Sequence, residues 1–197
     1  MSMTRENIKT EHKEIHSIES IDIVEKARIF ATAAHGAINH LRRNYDKPYT
    51  VHLEDVYKTL KAAGADKPTQ AGGWLHDILE DTQVSYALLK QEFGDEIANL
   101  VLEVTDVSTP GIGNRRDRKA LDRAHAARAS SRGQTIKYAD ILSNLSTIEE
   151  LEPEFARIYL KEKYLAVQAM KNGDESLRTQ VMNLIDQLAI NLKIVLP

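Results

Sequence analysis

Cysteine is absent from all 197 residues, which removes disulfides and thiolate metal sites together. Any metal held by this chain must therefore sit on histidine and carboxylate. Long apolar runs are missing too, and nothing approaches the roughly 20 consecutive apolar residues that a bilayer span needs. Residues 1–20 are polar and charged, without a positive patch followed by an apolar block, so a secretory signal is not expected. Charge of one sign is also lacking. With 26 Lys+Arg against 29 Asp+Glu the net charge is −3, which gives no bulk electrostatic reason to expect a nucleic-acid or membrane partner. No internal repeat, low-complexity tract or linker breaks the chain, and no stretch alternates convincingly with period two. A cytoplasmic protein is the expectation. The composition, 42% hydrophobic and 28% charged, is ordinary for a globular chain long enough to bury a real core.

What is present is helical periodicity almost throughout. Val24, Ala27, Ile29, Phe30 and Ala34 make an apolar stripe over about residues 20–43. A second helix covers 53–63 and stops at Gly64; Asp66 and Pro68 then read as the N-cap and first turn of a third. Further helices are expected at 85–93 and 95–105, divided by Gly94, and at 119–130, 134–150, 153–171 and 174–194. Residues 106–118, with one Pro, two Gly and three Arg, read as the clear loop, long enough to suspect a function. The expected architecture is one all-α domain over residues 1–197.

Residues 74–81 read Trp-Leu-His-Asp-Ile-Leu-Glu-Asp. On one continuous helix, His76 with Glu80, Asp77 with Asp81, and Asp77 with Glu80 fall three or four apart and share a face. Trp74, Leu75, Ile78 and Leu79 make the segment apolar, so these ionisable groups are expected to be buried. Burying several of them is costly unless something compensates, and a divalent cation does. A second apolar helix carries Asp140 and Asn144 four apart, among Ile136, Ala139, Ile141, Leu142 and Leu145. A buried Asp there is tolerable if it binds the same cation. His52, in Pro48-Tyr49-Thr50-Val51-His52, is a further candidate ligand. Two imidazoles and two carboxylates make a mixed N/O shell that suits Mn²⁺, with Zn²⁺ or Fe²⁺ as alternatives.

The pattern His52…His76-Asp77-x-x-Glu80-Asp81…Asp140-x-x-x-Asn144 resembles the HD phosphohydrolase superfamily. Within it, the chain is similar to the alarmone hydrolases, the hydrolase domain of Rel/Spo proteins and their small stand-alone relatives. Ala34-His35-Gly36, Arg42-Arg43, Phe93-Gly94, Glu103-Val104-Thr105 and Lys137-x-Ala139-Asp140 extend the likeness over about residues 24–150. A His-Asp pair alone is a weak signal. The pair followed by Glu-Asp, with Pro-Tyr-x-x-His upstream and Lys-x-Ala-Asp downstream, is a strong one.

The resemblance implies an HD-domain helical bundle with helices 153–194 packed on it, and Mn²⁺-dependent removal of the 3′-pyrophosphate of (p)ppGpp. By position it implies His52, His76, Asp77 and Asp140 as metal ligands. Glu80 and Asp81 would orient or deprotonate the attacking water, and Asn144 would contact the substrate ribose. Arg42 and Arg43 would meet the base or the phosphates, and Lys137 would support the phosphate side. Departures fall at Leu53, where the family has Pro, at Asn44-Tyr45-Asp46-Lys47, without the usual Gly, and at Ile141 and Ser143 after Asp140. They leave the ligand set intact and bear on guanosine specificity. Two other readings stand beside the first: an HD phosphohydrolase for another nucleotide, such as a nucleoside monophosphate, and a non-catalytic nucleotide-binding or regulatory module. No synthetase domain follows, so a stand-alone hydrolase is expected. The Tyr159–Tyr164 region and the C-terminal helix read as core or as the face of a homodimer, not as part of a site.

Overall fold

The computed structural model describes residues 21–42, 46–148 and 152–197. All regular structure among them is helical; the one non-helical pairing is an isolated antiparallel bridge between Leu41 and Pro48. No helix there is long and apolar enough to cross a membrane.

Helix α1 (Ile23–Ala37) starts where Asp22 accepts the Val24 N–H. It stops well before residue 43. Asn39 adopts a left-handed φ of 49° and the His40 N–H turns back to the His35 carbonyl at 3.0 Å, a helix-ending turn that short polar residues favour. Arg42 is therefore in an extended hairpin-like return, not at a helix end. Helix α2 (Thr50–Ala62) begins ahead of the expected residue 53, which puts His52 inside its first turn. Asp66 caps helix α3 (Lys67–Leu75) by accepting from Thr69 N–H, with proline in the first turn as the sequence indicates. A single turn, α4 (Ile78–Asp81), follows, then α5 (Tyr86–Val104), kinked where Gly94 takes φ 76°. That kink is the division expected between 85–93 and 95–105.

The loop after α5 is shorter than expected. Helix α6 (Arg115–Ala126) begins at Arg115 because Asn114 and Asp117 cap each other's backbone reciprocally, a pairing that overrides the loop-like composition around it. Likewise Ser130 caps α7 (Ser131–Leu145), which starts before residue 134. Helices α8 (Pro153–Ala169) and α9 (Glu175–Asn191) complete the fold.

Helix α7 is the axis of the molecule. Its Ile136 and Ala139 join Val56, Leu60, Leu100 and Val104 in a small core with α2 and α5. Its Tyr138, Ile141 and Leu145 meet Leu160, Val167, Val181 and Ile185 of α8 and α9 in a larger one. A third core joins α1, α3 and α5 through Ala27, Ala31, Trp74, Leu75, Leu89, Phe93 and Val101. A helix apolar on nearly every side is thus buried on nearly every side, and Asp140 rides on it into the interior.

Two glycines let α3 sit close to its neighbours. A Cβ on Gly72 would come within 2.8 Å of Ile136 Cδ1, and one on Gly73 would collide with Leu60 Cδ1. Gly73→Ala is expected to destabilise the chain by about 1–3 kcal/mol through overpacking. Urea unfolding checks this: a midpoint equal to wild type would mean that α2 and α3 have room to separate.

Candidate active site

The octet 74–81 does not form the continuous helix that its spacing suggests. Helix α3 ends at Leu75 and Asp77 sits at φ −98°, ψ 1°, before α4 resumes. Neighbours on an unbroken helix point about 100° apart, so His76 and Asp77 could not both face one point. The break turns them together, and Asp77 Oδ2 lies 2.9 Å from His76 Nε2. Glu80 still lines the same cleft as Asp77, while Asp81 turns toward His40.

Both candidate imidazoles are aimed by what lies behind them. His76, 1% exposed, has Nδ1 at 2.8 Å from the Gly73 carbonyl, which can only accept, so Nδ1 carries the proton and Nε2 offers its lone pair. His52, also 1% exposed, has Nδ1 at 2.9 Å from Ser143 Oγ, leaving its Nε2 to face His76 Nε2 at 3.2 Å. Asp77 Oδ2 and Asp140 Oδ1 stand 3.5 and 3.4 Å from His52 Nε2, and Asp140 Oδ1 stands 3.8 Å from His76 Nε2. Ligand atoms bonded at about 2.1 Å to one ion are held about 3.0–3.4 Å apart, so this donor set fits a first-row divalent cation. Two nitrogen lone pairs directed at each other beside two carboxylates also make a poor resting arrangement without a cation or protons between them.

The charges agree. Burial alone would raise Asp77, but His76 and His52 win and hold it well below the usual carboxylate range. Asp140 is likewise held low, against its burial, by the His52 hydrogen bond and by Lys163 and Lys137. Against their own burial, the same carboxylates raise His52 and lift His76 to about 9. Tyr49 donates its hydroxyl to Asp77 Oδ2, and burial with that neighbouring charge keeps it a phenol. Asn144 donates its amide to Asp140 Oδ1.

Glu80 and Asp81 diverge from α4. Glu80 Oε1 accepts the Asp106 N–H at 2.7 Å, and desolvation followed by the charges of Asp77 and Asp106 raises it to about 7. Asp81 points toward His40, 3.9 Å away, and desolvation with Asp77 raises it to about 6. A cleft of about 310 Å³ opens beside the donor set, lined by Tyr49, Asp77, Glu80, Lys137, Asp140 and Asn144 together with residues from α6 and α8. Lys137 donates to the Val104 carbonyl at 3.0 Å and lies 3.7 Å from Asp106. Arg42 is buried, its guanidinium donating to the Ser143 carbonyl at 2.7 Å and Oγ at 3.3 Å. It lines a smaller recess with Tyr49, His52, Asn144, Phe155 and Tyr159. Arg43 lies outside the described residues.

Several lining residues depart from the sequence reading, which places Tyr159–Tyr164 in core or a dimer face, whereas Tyr159, Glu162 and Lys163 line the cleft. Phe155, Tyr159, Glu162, Lys163 and Ala166 repeat at helical spacing along one face of α8, so the signal was a mixed polar and aromatic stripe. Lys163 Nζ lies 5.0 Å from the Tyr159 ring centre. Arg115 grips Glu162 with two 2.8 Å hydrogen bonds, and Lys119 sits between Asp106 and Asp122 at 2.7 and 3.1 Å. Basic and acidic side chains nearly balance in this lining, so a divalent cation on Asp77 and Asp140 would tip it positive. Ser143, marked above only as a departure, holds both His52 and Arg42.

Known proteins share this architecture. A family model described as HD domain matches residues 27–170. The guanosine-3′,5′-bis(diphosphate) 3′-pyrophosphohydrolase MESH1 of Xenopus tropicalis is 32% identical over 136 residues, covering 67% of this chain and 73% of that protein. A probable GTP pyrophosphokinase of Mycobacterium leprae (strain TN) is 35% identical over 144 residues, 73% of this chain but 18% of its own length. This chain spans 16–24% of the long relatives of that kind. The solved structure of a metazoan ortholog of SpoT superposes with a TM-score of 0.75 at 23% identity, over 88% of this chain and 99% of that one, and so shares the fold. The chain belongs to the HD-domain family, in the company of the MESH1 proteins.

Proposed function

We propose that this chain is a metal-dependent hydrolase that removes the 3′-pyrophosphate of ppGpp, releasing GDP and pyrophosphate, and that residues 1–197 work as one HD-type unit. The observation that carries this is the convergence of His52, His76 and Asp140, with Asp77 Oδ2 2.9 Å from His76 Nε2, at the wall of a cleft that also carries Lys119, Lys137 and Lys163. The names of the MESH1 relatives, which describe that same reaction, support the choice of substrate.

His52, Asp77, His76 and Asp140 would hold Mn²⁺, which when bound lowers the pKa of water and polarises a phosphoryl oxygen. Glu80, raised to about 7, is suited to take a proton from the attacking water near neutral pH. The bond that breaks joins the 3′ oxygen to phosphorus; the water oxygen stays on the pyrophosphate, and the 3′ oxygen leaves with a proton. Lys137 and Lys163, which line the cleft, would neutralise charge on the departing pyrophosphate. Tyr159 and Phe155 would offer ring surfaces to the nucleoside, and Asn144, which lines both recesses, would contact its ribose. Arg42, occupied with Ser143, is assigned to shaping the recess; Arg43 keeps its assignment to the base or phosphates.

Ligand binding should also register as stability. Free Mn²⁺ at a hundred times its Kd contributes about 2.7 kcal/mol, or about 5–10 °C in Tm for a chain of this size. Circular dichroism melts of chelator-stripped protein with and without Mn²⁺ measure this, and Asp140→Ala should lose most of the shift. No shift in the wild type would contradict the ligand assignment.

A kinetic panel tests the substrate. The Mn²⁺-loaded chain should turn over ppGpp with a kcat/KM at least about 100-fold above that for deoxynucleoside monophosphates, a difference of about 2.7 kcal/mol. A preference for the monophosphates would move the chain to the other nucleotide class.

A further inference from the structure

A second group of ligand-type side chains stands against the face of the Tyr49 ring. His35, His40 and Asp81 each offer one ligand atom, and these atoms all lie within 4.8 Å of one another. The two Nδ1 atoms are 3.0 Å apart, and Asp81 Oδ2 is 3.9 Å from His40 Nδ1. We propose that His35, His40 and Asp81 form a separate divalent-cation site, beside the His52–His76–Asp77–Asp140 set, with Zn²⁺ as the best-matched ion.

The backbone builds this pair in advance. The turn that ends α1 folds residue 40 back over residue 35, with the His40 N–H on the His35 carbonyl at 3.0 Å. The His40 carbonyl in turn accepts the Tyr49 N–H at 2.9 Å, so residue 40 is fastened on both sides. Its ring stacks on Tyr49 with centroids 3.9 Å apart and planes 11° apart, and His35 stacks on the same tyrosine at 5.0 Å. Little rotamer freedom remains to be lost when an ion arrives, which favours binding.

The chemistry of the group fits as well. His35 is 1% exposed and its Nε2 has no hydrogen-bond partner, so Nδ1 is the atom through which it can engage anything polar. Burial and the neighbouring His40 keep this ring neutral, the form that ligates metal. A hydrogen bond between the two Nδ1 atoms accounts for the 3.0 Å separation but leaves the Asp81 carboxylate at a distance where it makes no hydrogen bond to His40. One cation between the three satisfies all of them. Two imidazoles and one carboxylate with a remaining open position is a familiar zinc donor set. The side chains of His40 and Asp81 are 25% and 33% exposed, so an ion can enter and keep water on that side.

The consequence reaches the first site through Tyr49. Its ring is fixed by His35 and His40, and its hydroxyl holds Asp77 Oδ2. An ion on His40 braces that tyrosine, and it also commits Asp81, leaving Glu80 as the carboxylate free to serve the cleft.

Isothermal titration of Zn²⁺ into the chelator-stripped full chain tests the site without reference to substrate. Wild type should bind one more tight equivalent than His40→Phe, which keeps a ring stacked on Tyr49. Asp140→Ala should lose a different equivalent, and the His40→Phe/Asp140→Ala double variant should lose both. Equal stoichiometry in wild type and folded His40→Phe overturns the proposal. The same comparison decides it if Asp140→Ala fails to fold, and loss of ppGpp turnover would bear only on the proposed function.

Discussion

Asp140→Ala is expected to reduce ppGpp hydrolysis at least about 10³-fold, about 4 kcal/mol of transition-state stabilisation. Asp140 is buried on α7 where His52, His76 and Asn144 face it and the charges of Lys137 and Lys163 act on it. Alanine takes away a proposed ligand and leaves two imidazoles without the carboxylate that balances them, beside lysines whose charge is no longer opposed there. Asp77→Ala should behave alike, because Asp77 Oδ2 is the carboxylate atom nearest His76. The expected signature is loss of bound metal together with loss of turnover, read by elemental analysis and product release on one preparation. Full turnover with either alanine would remove that residue from the donor set.

Glu80→Gln should separate metal from chemistry. The glutamine carbonyl can still accept the Asp106 N–H that Glu80 Oε1 accepts at 2.7 Å, so the local structure and the four donors are kept. What disappears is the proposed base, and kcat should fall by about 10²–10⁴ with metal content unchanged. The pH profile adds a sign. A base must be deprotonated to act, so wild-type kcat should decline as pH drops through the Glu80 pKa, raised to about 7 in the metal-free chain. A cation on Asp77 cancels part of the charge that raises Glu80, so the limb is expected at or below that value. The Gln variant should lack the limb. If it keeps wild-type turnover, the base is Asp81 or solvent.

The helices were legible because each carries its own signals: apolar period, Asp66 with Pro68, and the stop at Gly64 or Gly94. Errors came where a local cap outweighed composition, as at Asn114 with Asp117, or where one residue in a left-handed conformation ended α1 early. The octet shows a subtler failure. Its residue types point to metal-ligand chemistry, but the face-sharing argument assumes a continuous helix, and the break at Asp77 is what lets adjacent His76 and Asp77 converge. Asp140 and His52 were findable through residue type and spacing, even though they lie on other helices. Ser143 was not, because its partners, His52 and Arg42, lie about a hundred residues away in sequence. Lys163 and Tyr159 were hidden for a similar reason: α8 looks like an ordinary amphipathic helix until its polar face is seen to close the cleft. The His35–His40 pair depends on the turn at Asn39, which has no strong signal of its own.

The most direct measurement is incubation of the Mn²⁺-reconstituted chain with ppGpp, following guanosine products by ion-exchange chromatography and the released phosphate species in the same samples. GDP and pyrophosphate appearing in equal amounts is the predicted result. Orthophosphate in place of pyrophosphate, or intact ppGpp over a metal-replete protein, would contradict it.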